Sequence, residues 1–118
     1  MNTPVSFELA KLLKEKDFKK KCIAFYDLIS NTQIDNAPKG NYNLTKQSVS
    51  IPTIVEVIMW LYEKHEYWCY VYTNGKIWHP CIQHKFGDMA VLSGKIGESN
   101  SPTEAYEAAI EYTLKNLL

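Results

Sequence analysis

The stretch Tyr67-Trp68-Cys69-Tyr70-Val71-Tyr72-Thr73-Asn74-Gly75-Lys76-Ile77-Trp78-His79-Pro80-Cys81-Ile82 decides the fold. Asn-Gly between two runs of β-branched and aromatic residues is the strongest short-range hairpin signal, because both residues tolerate the positive φ of a two-residue type I′ loop. Such a loop predicts the pairs Thr73–Lys76, Tyr72–Ile77, Val71–Trp78 and Tyr70–His79. Trp68, Tyr70, Tyr72, Ile77, His79 and Cys81 then share one face, and Cys69, Val71, Thr73, Lys76, Trp78 and Pro80 the other. Both faces are too apolar to stand in water. The hairpin is therefore covered on both sides, or one face meets a partner.

Outward from the hairpin, three segments read as helices. Pro52-Thr53-Ile54-Val55-Glu56 opens the clearest one, with Thr53 and Glu56 as a capping box and Ile54, Val57, Ile58 and Leu61 at i, i+3, i+4, i+7. Val55, Met59 and Tyr62 widen its apolar stripe, which predicts a core helix over 53–65, with Trp60 at its margin or in an interface. Ser101, Pro102 and Glu104 open the last helix, over 102–117, whose buried stripe is Tyr106, Ala109, Ile110, Leu114 and Leu117. The first helix is expected from Pro4 to Lys16, capped by Thr3. A strand follows over Cys22–Leu28, and short edge strands over Thr32–Asp35 and Tyr42–Thr45. Between Ile29 and Ser50 the frequent Asn, Pro and Gly residues interrupt any longer pattern. Met89–Leu92 is expected as a third strand of the hairpin sheet. The fold class is α+β, an antiparallel sheet of about three to five strands packed with three helices, in one domain over residues 1–118.

The chain has 118 residues, of which 46% are hydrophobic, and its 13 basic and 13 acidic residues cancel. Nothing in that balance draws it to nucleic acid or a membrane surface in bulk. Every basic residue is lysine. Without arginine the chain lacks the planar fork that reads guanine, phosphate or carboxylate bidentately. The opening residues carry no basic segment followed by an apolar one, and the three cysteines show no Cys-x-x-Cys spacing. The expectation is a reduced, cytoplasmic protein without a membrane span.

The chemistry-bearing residues form no strong motif. His79, Cys81 and His84, with Cys69, are the only cluster with metal-ligand side chains, but the predicted register puts Cys69 on the opposite face, so no metal is assigned. No cofactor is expected, since there is no Walker loop and Gly94-x-x-Gly97 alone does not mark phosphate. The three cysteines lie in apolar, strand-like stretches that suit packing better than nucleophilic catalysis, and no catalytic residue is assigned. The better lead is the aromatic load: Trp60, Trp68, Tyr70, Tyr72 and Trp78 as a binding surface. Lys19, Lys20 and Lys21 are the candidate phosphate contacts of an alternative reading.

Two resemblances add to this. Pro52–His65, Ser101–Leu114 and the opening Met1–Lys16 resemble a family of small uncharacterised proteins encoded by phages and mobile elements of gut bacteria, which implies an origin and no activity. More weakly, Gly97, Ser101, Ala105, Ala108 and Ala109 fall in step with the last helix of the double-stranded RNA-binding domain. The phosphate-clamping lysines of that pattern are Pro102, Thr103 and Tyr106 here, and Glu104 and Glu107 add negative charge, so the resemblance implies topology without RNA binding.

The expected function is a non-catalytic intracellular interaction module that meets a protein partner or itself as a homo-oligomer. The alternative is a nucleic-acid-binding accessory protein using Lys19–Lys21 and the hairpin aromatics. A second alternative is a small enzyme whose site gathers residues distant in sequence, such as His65, His79, His84, Cys22 or Asp27.

Overall fold

The computed structural model describes residues 3–87, 90–91 and 93–118. The fold is α+β, with two antiparallel sheets of three strands each. The chain has two compact units: Pro4–Thr53, and Ile54–Leu118 with the amino-terminal residues through Thr3. The short strands before residue 53 make a sheet of their own instead of extending the hairpin.

The first unit holds α1 (Phe7–Glu15) and strands β1 (Phe25–Asp27), β2 (Thr32–Ile34) and β3 (Ser48–Ser50), with β1 in the centre. Helix α1 begins later than predicted. Pro4 bridges Thr53 and the Val5 N–H donates to the Pro52 carbonyl, which holds both residues extended. Ser6, not Thr3, is the cap, its hydroxyl accepting from the Leu9 N–H at 3.2 Å. Leu9, Ala10 and Leu13 are buried, as is Phe18 beyond the helix end.

Residues 42–45 form turns, not the predicted edge strand, because polar side chains take their backbone partners. Asn43 donates from its amide to the Phe18 carbonyl (2.8 Å) and accepts from the Ser50 N–H (2.8 Å). The Ser50 hydroxyl accepts from the Tyr42 N–H (2.9 Å), and the Ser48 hydroxyl donates to the Tyr42 carbonyl (2.6 Å). Lys14 donates to the carbonyls of Thr45 and Ser48.

The second unit runs α2 (Ile54–His65), β4 (Tyr67–Thr73), β5 (Trp78–His84), β6 (Ala90–Val91), the short α3 (Ser93–Ile96) and α4 (Pro102–Tyr112), which ends in a π-helical turn over Thr113–Leu117. The helical periodicity predicts the centre of the buried stripes of α2 and α4: Ile54, Val57, Ile58 and Leu61, and Ala109, Ile110 and Leu114, are all buried, whereas Tyr106, Leu117, Val55 and Tyr62 are half-buried and Met59 is exposed. Ser101 caps α4, accepting from the Glu104 N–H at 3.1 Å. Glu66 alone joins α2 to β4, and its φ of +66° reverses the chain within one residue. Ala90 and Val91 pair with Gln83 and Ile82, so the third strand forms; Met89 and Leu92 lie outside the described residues.

The hairpin register differs from the prediction by two residues. Thr73 pairs with Trp78, Tyr72 with His79, Val71 with Pro80 and Tyr70 with Cys81. The loop is Asn74–Ile77, in which Gly75 takes φ +100° and neither Asn74, Lys76 nor Ile77 has a positive φ, so the turn is not type I′. Side chains select the longer loop. The Asn74 side-chain Oδ1 accepts from the N–H groups of Lys76 and Ile77, and the Thr73 hydroxyl accepts from Gly75 N–H and donates to the Ile77 backbone carbonyl. A slip of two preserves which face each side chain occupies. Only Ile77 and Lys76 leave their predicted faces, since neither is in a strand.

Candidate functional site

The two faces of the β4–β5 hairpin have different fates. On one, the buried Cys69, Pro80 and Ile82 meet the helices: the Cys69 thiol lies 3.5 Å from the Thr113 hydroxyl, which itself donates to the Ala109 carbonyl at 2.8 Å. Val71 and Trp78 line a cavity with Ile54 of α2 and Pro102, Thr103 and Tyr106 of α4. Trp78 therefore belongs to the helix-packed face. Pro102, Thr103 and Tyr106, which the RNA-binding resemblance puts in the place of phosphate-clamping lysines, face that cavity.

The other face carries Trp68, Tyr70 and Tyr72 on β4 and His79, Cys81 and Gln83 on β5, of which Cys81 is fully buried and Trp68, Tyr72 and Gln83 are exposed. Trp68 is 39% exposed and Tyr72 50%. Tyr72 stacks on its cross-strand partner His79 with ring centroids 4.7 Å apart and planes at 20°. Tyr70 is half-buried beside Cys81, and burial first, then the neighbouring Cys81 thiol, push its phenol above the ordinary tyrosine range. The three tyrosine and tryptophan positions of β4 predicted as a surface are thus on one face. Trp60, predicted with them, is not: it is buried in α2, edge-on to His65 at 4.8 Å, because the apolar stripe of α2 wraps wide enough to include it.

At the end of the sheet the open face runs into a cavity of about 450 Å³ lined by Met59, Tyr62, Trp68, Gln83, His84 and Lys85. Tyr62 meets Trp68 edge-to-face at 5.3 Å, and the Lys85 ammonium stands 5.5 Å from the Tyr62 ring centroid. His84 lies 3.8 Å from the Glu66 carboxylate. Sequence reasoning missed Gln83, which the observed register places opposite Trp68. The Asn74 and Thr73 side chains that lengthen the loop are the signal that finds it.

The remaining candidate residues stay apart from this surface. Lys19, Lys20 and Lys21 are exposed in the first unit, just after α1. In that unit the Cys22 thiol bonds the Lys20 carbonyl, and Asp27 accepts from the Ile29 N–H. Within the second unit His65, His79 and His84 occupy three separate settings, against Trp60, Tyr72 and Glu66 respectively. Among the described residues no three His, Cys, Asp or Glu side chains are placed to hold a metal ion. Burial pushes the Cys69 thiol up to about 11, against the weaker opposing effect of its bond to Thr113, so it is un-ionised at neutral pH and a poor nucleophile. Among the described residues no helix is long and apolar enough to cross a membrane. No family model matches this chain, and neither a curated protein nor a solved structure is significantly similar to it.

Proposed function

We propose that this protein is a non-catalytic interaction module, of phage or mobile-element origin and working inside the cell, whose contact surface is the open aromatic face of the β4–β5 hairpin. The observation that carries the reading is the exposure of Trp68 and Tyr72 on the side of the hairpin opposite the one against which α4 packs. Residues of this kind carry about 150–250 Å² of surface, and with 39% of Trp68 and 50% of Tyr72 still exposed, covering the remainder at roughly 25 cal/mol per Å² is worth about 1.5–3 kcal/mol each. Trp and Tyr give that area at little cost in side-chain entropy, which is why they anchor contact surfaces. Three free, buried cysteines suit a reducing compartment.

The test is photo-crosslinking in the native host. A benzophenone amino acid at position 68 or 72 is expected to give a discrete protein adduct, whereas the same group at the exposed Glu111 of α4 gives none. No adduct at either hairpin position overturns the reading.

A further inference from the structure

We propose that the cavity between the hairpin and the first turns of α2 and α4 is a binding site for a small, uncharged, planar aromatic molecule that carries a hydrogen-bond acceptor. It lies on the helix-packed side of β4 and β5, so the proposal goes beyond the reading of the open face and does not depend on it.

The walls all come from the second unit. Val71 of β4 and Trp78 of β5 supply the sheet side, Ile54 the start of α2, and Pro102, Thr103 and Tyr106 the start of α4. Tyr106 stands three and four positions after Thr103 and Pro102, so the three share one face of the helix. Each wall is held by its backbone. Trp78 exchanges two hydrogen bonds with Ser99 (2.9 and 3.0 Å), two residues before the Ser101 cap from which α4 starts. Val71 is paired with Pro80 in the ladder, and Ile54 is buried at the first position of α2.

The space between these walls is too large to be a packing defect. Further along α4, Ala105, Ala109 and Ile110 have no exposed surface, as close packing of an interior requires. At the amino end of the helix the same layer leaves about 330 Å³ unfilled. An apolar cavity of about 150 Å³ already takes up benzene, and sites for small molecules begin at about 300 Å³. Pro102 is exposed and Val71, Trp78, Thr103 and Tyr106 are half-buried, so the space opens to solvent beside the start of α4.

The lining specifies the occupant. Trp78 and Tyr106 contribute two rings, and among the described residues neither is paired with another aromatic ring. A flat ring entering the cavity gains stacking or edge contact with both. The indole N–H of Trp78 and the hydroxyls of Thr103 and Tyr106 can each donate, and among the described residues these side chains make no hydrogen bond. Water serves them when the cavity is open, and a carbonyl or ring nitrogen on the occupant takes its place. Because the indole N–H only donates, the matching group is an acceptor. No Asp, Glu, Lys or His lines the cavity. An ion entering it loses hydration and finds no counter-charge, which makes the occupant a neutral molecule.

Coumarin, a neutral two-ring lactone, is a suitable probe, titrated into the whole chain and followed by amide and indole NMR. The three tryptophans give three indole N–H signals. Saturable shifts are expected for the Trp78 indole and for the amides of Val71, Thr103 and Tyr106, while the indoles of Trp60 and Trp68 stay in place. Tyr106→Phe and Thr103→Val each remove a hydroxyl with little change of shape. Both are expected to stay folded by circular dichroism and to bind coumarin about threefold more weakly, or worse. Coumarin bearing a ring carboxylate is expected to give no saturable shift over the same concentrations. No saturable shift of the Trp78 indole with coumarin, or an equal shift at Trp68, overturns the site. Equal binding of the carboxylate overturns the neutral occupant, and unchanged affinity in both variants overturns the role of the donors. Trp68 and Tyr72 do not line this cavity, so failure here leaves the open face to its own crosslinking test.

Discussion

The two sheets of this protein have the same strand count and the same antiparallel pairing, yet they are built by different means. In the second unit, β4 and β5 are long and apolar, and α4 packs on one face while Tyr62 of α2 reaches Trp68 on the other. In the first unit the three strands have three residues each, β2 is exposed throughout, and the connection to β3 is held by Asn43, Ser48 and Ser50 side chains bonding to the backbone. The second sheet is made by burial and the first largely by side-chain hydrogen bonds to the backbone.

The comparison breaks or sharpens at particular residues. Ile82 is 1% exposed on the helix-packed face of β5. Ile82→Ala is expected to cost about 3 kcal/mol in chemical denaturation, through lost burial and the cavity left behind. A loss well under 1 kcal/mol would mean that burial is not what holds this sheet.

Asn43→Ala probes the other mechanism. It removes two hydrogen bonds and leaves the Phe18 carbonyl and the Ser50 N–H to find other partners, with an expected cost of about 1–3 kcal/mol. Hydrogen exchange at Ser50 should rise with it. Should exchange and denaturation midpoint both stay at wild-type values, the first sheet does not depend on side-chain bonding.

Gly75→Val addresses the loop between the long strands. The φ of +100° at Gly75 is one that a β-branched residue rarely adopts, and there is open space around the position, so the cost is one of backbone strain alone. The expectation is about 1–2 kcal/mol. An unchanged midpoint would show that the loop re-forms freely and that the paired strands, not the turn, set the register.

The smallest effect is a pH dependence at the end of α2. Burial, and secondarily Lys64, lower the His65 pKa from its ordinary 6.5, and its Nε2 is buried without a hydrogen-bond partner. The unfolded chain therefore binds more protons than the folded one below pH 6.5, so the contribution of His65 to stability is present above that pH and falls as the solution is acidified through it. Replacing His65 with Phe should flatten the decline in denaturation midpoint between about pH 7.5 and about pH 5.5. A decline of the same steepness in the variant would assign it to other groups.

Much of the second unit was legible because periodicity reports burial directly: the centres of the α2 and α4 stripes, the cap at Ser101 and the facing of residues 68–73 and 78–81 of the hairpin follow from spacing alone. The exact pairing was not legible, since Asn-Gly suits a two-residue loop as well as the four-residue one that Thr73 and Asn74 stabilise with their side chains. Residues 29–50 were hardest to read because their hydrogen bonds run from side chain to backbone over distances that no period encodes. Asn43 reaches Phe18 across 25 positions.

The candidate surface divides in the same way. Local sequence determined that Trp68, Tyr70 and Tyr72 share a face, because a strand alternates its side chains whatever it packs against. Tertiary structure decided which face the helices cover, that Trp60 is buried and Trp78 turned towards α4, and that Gln83 comes opposite Trp68. Those outcomes depend on where helices dock and how far a loop extends. They are set by the fit of surfaces distant in the chain, which alternation within one segment does not specify.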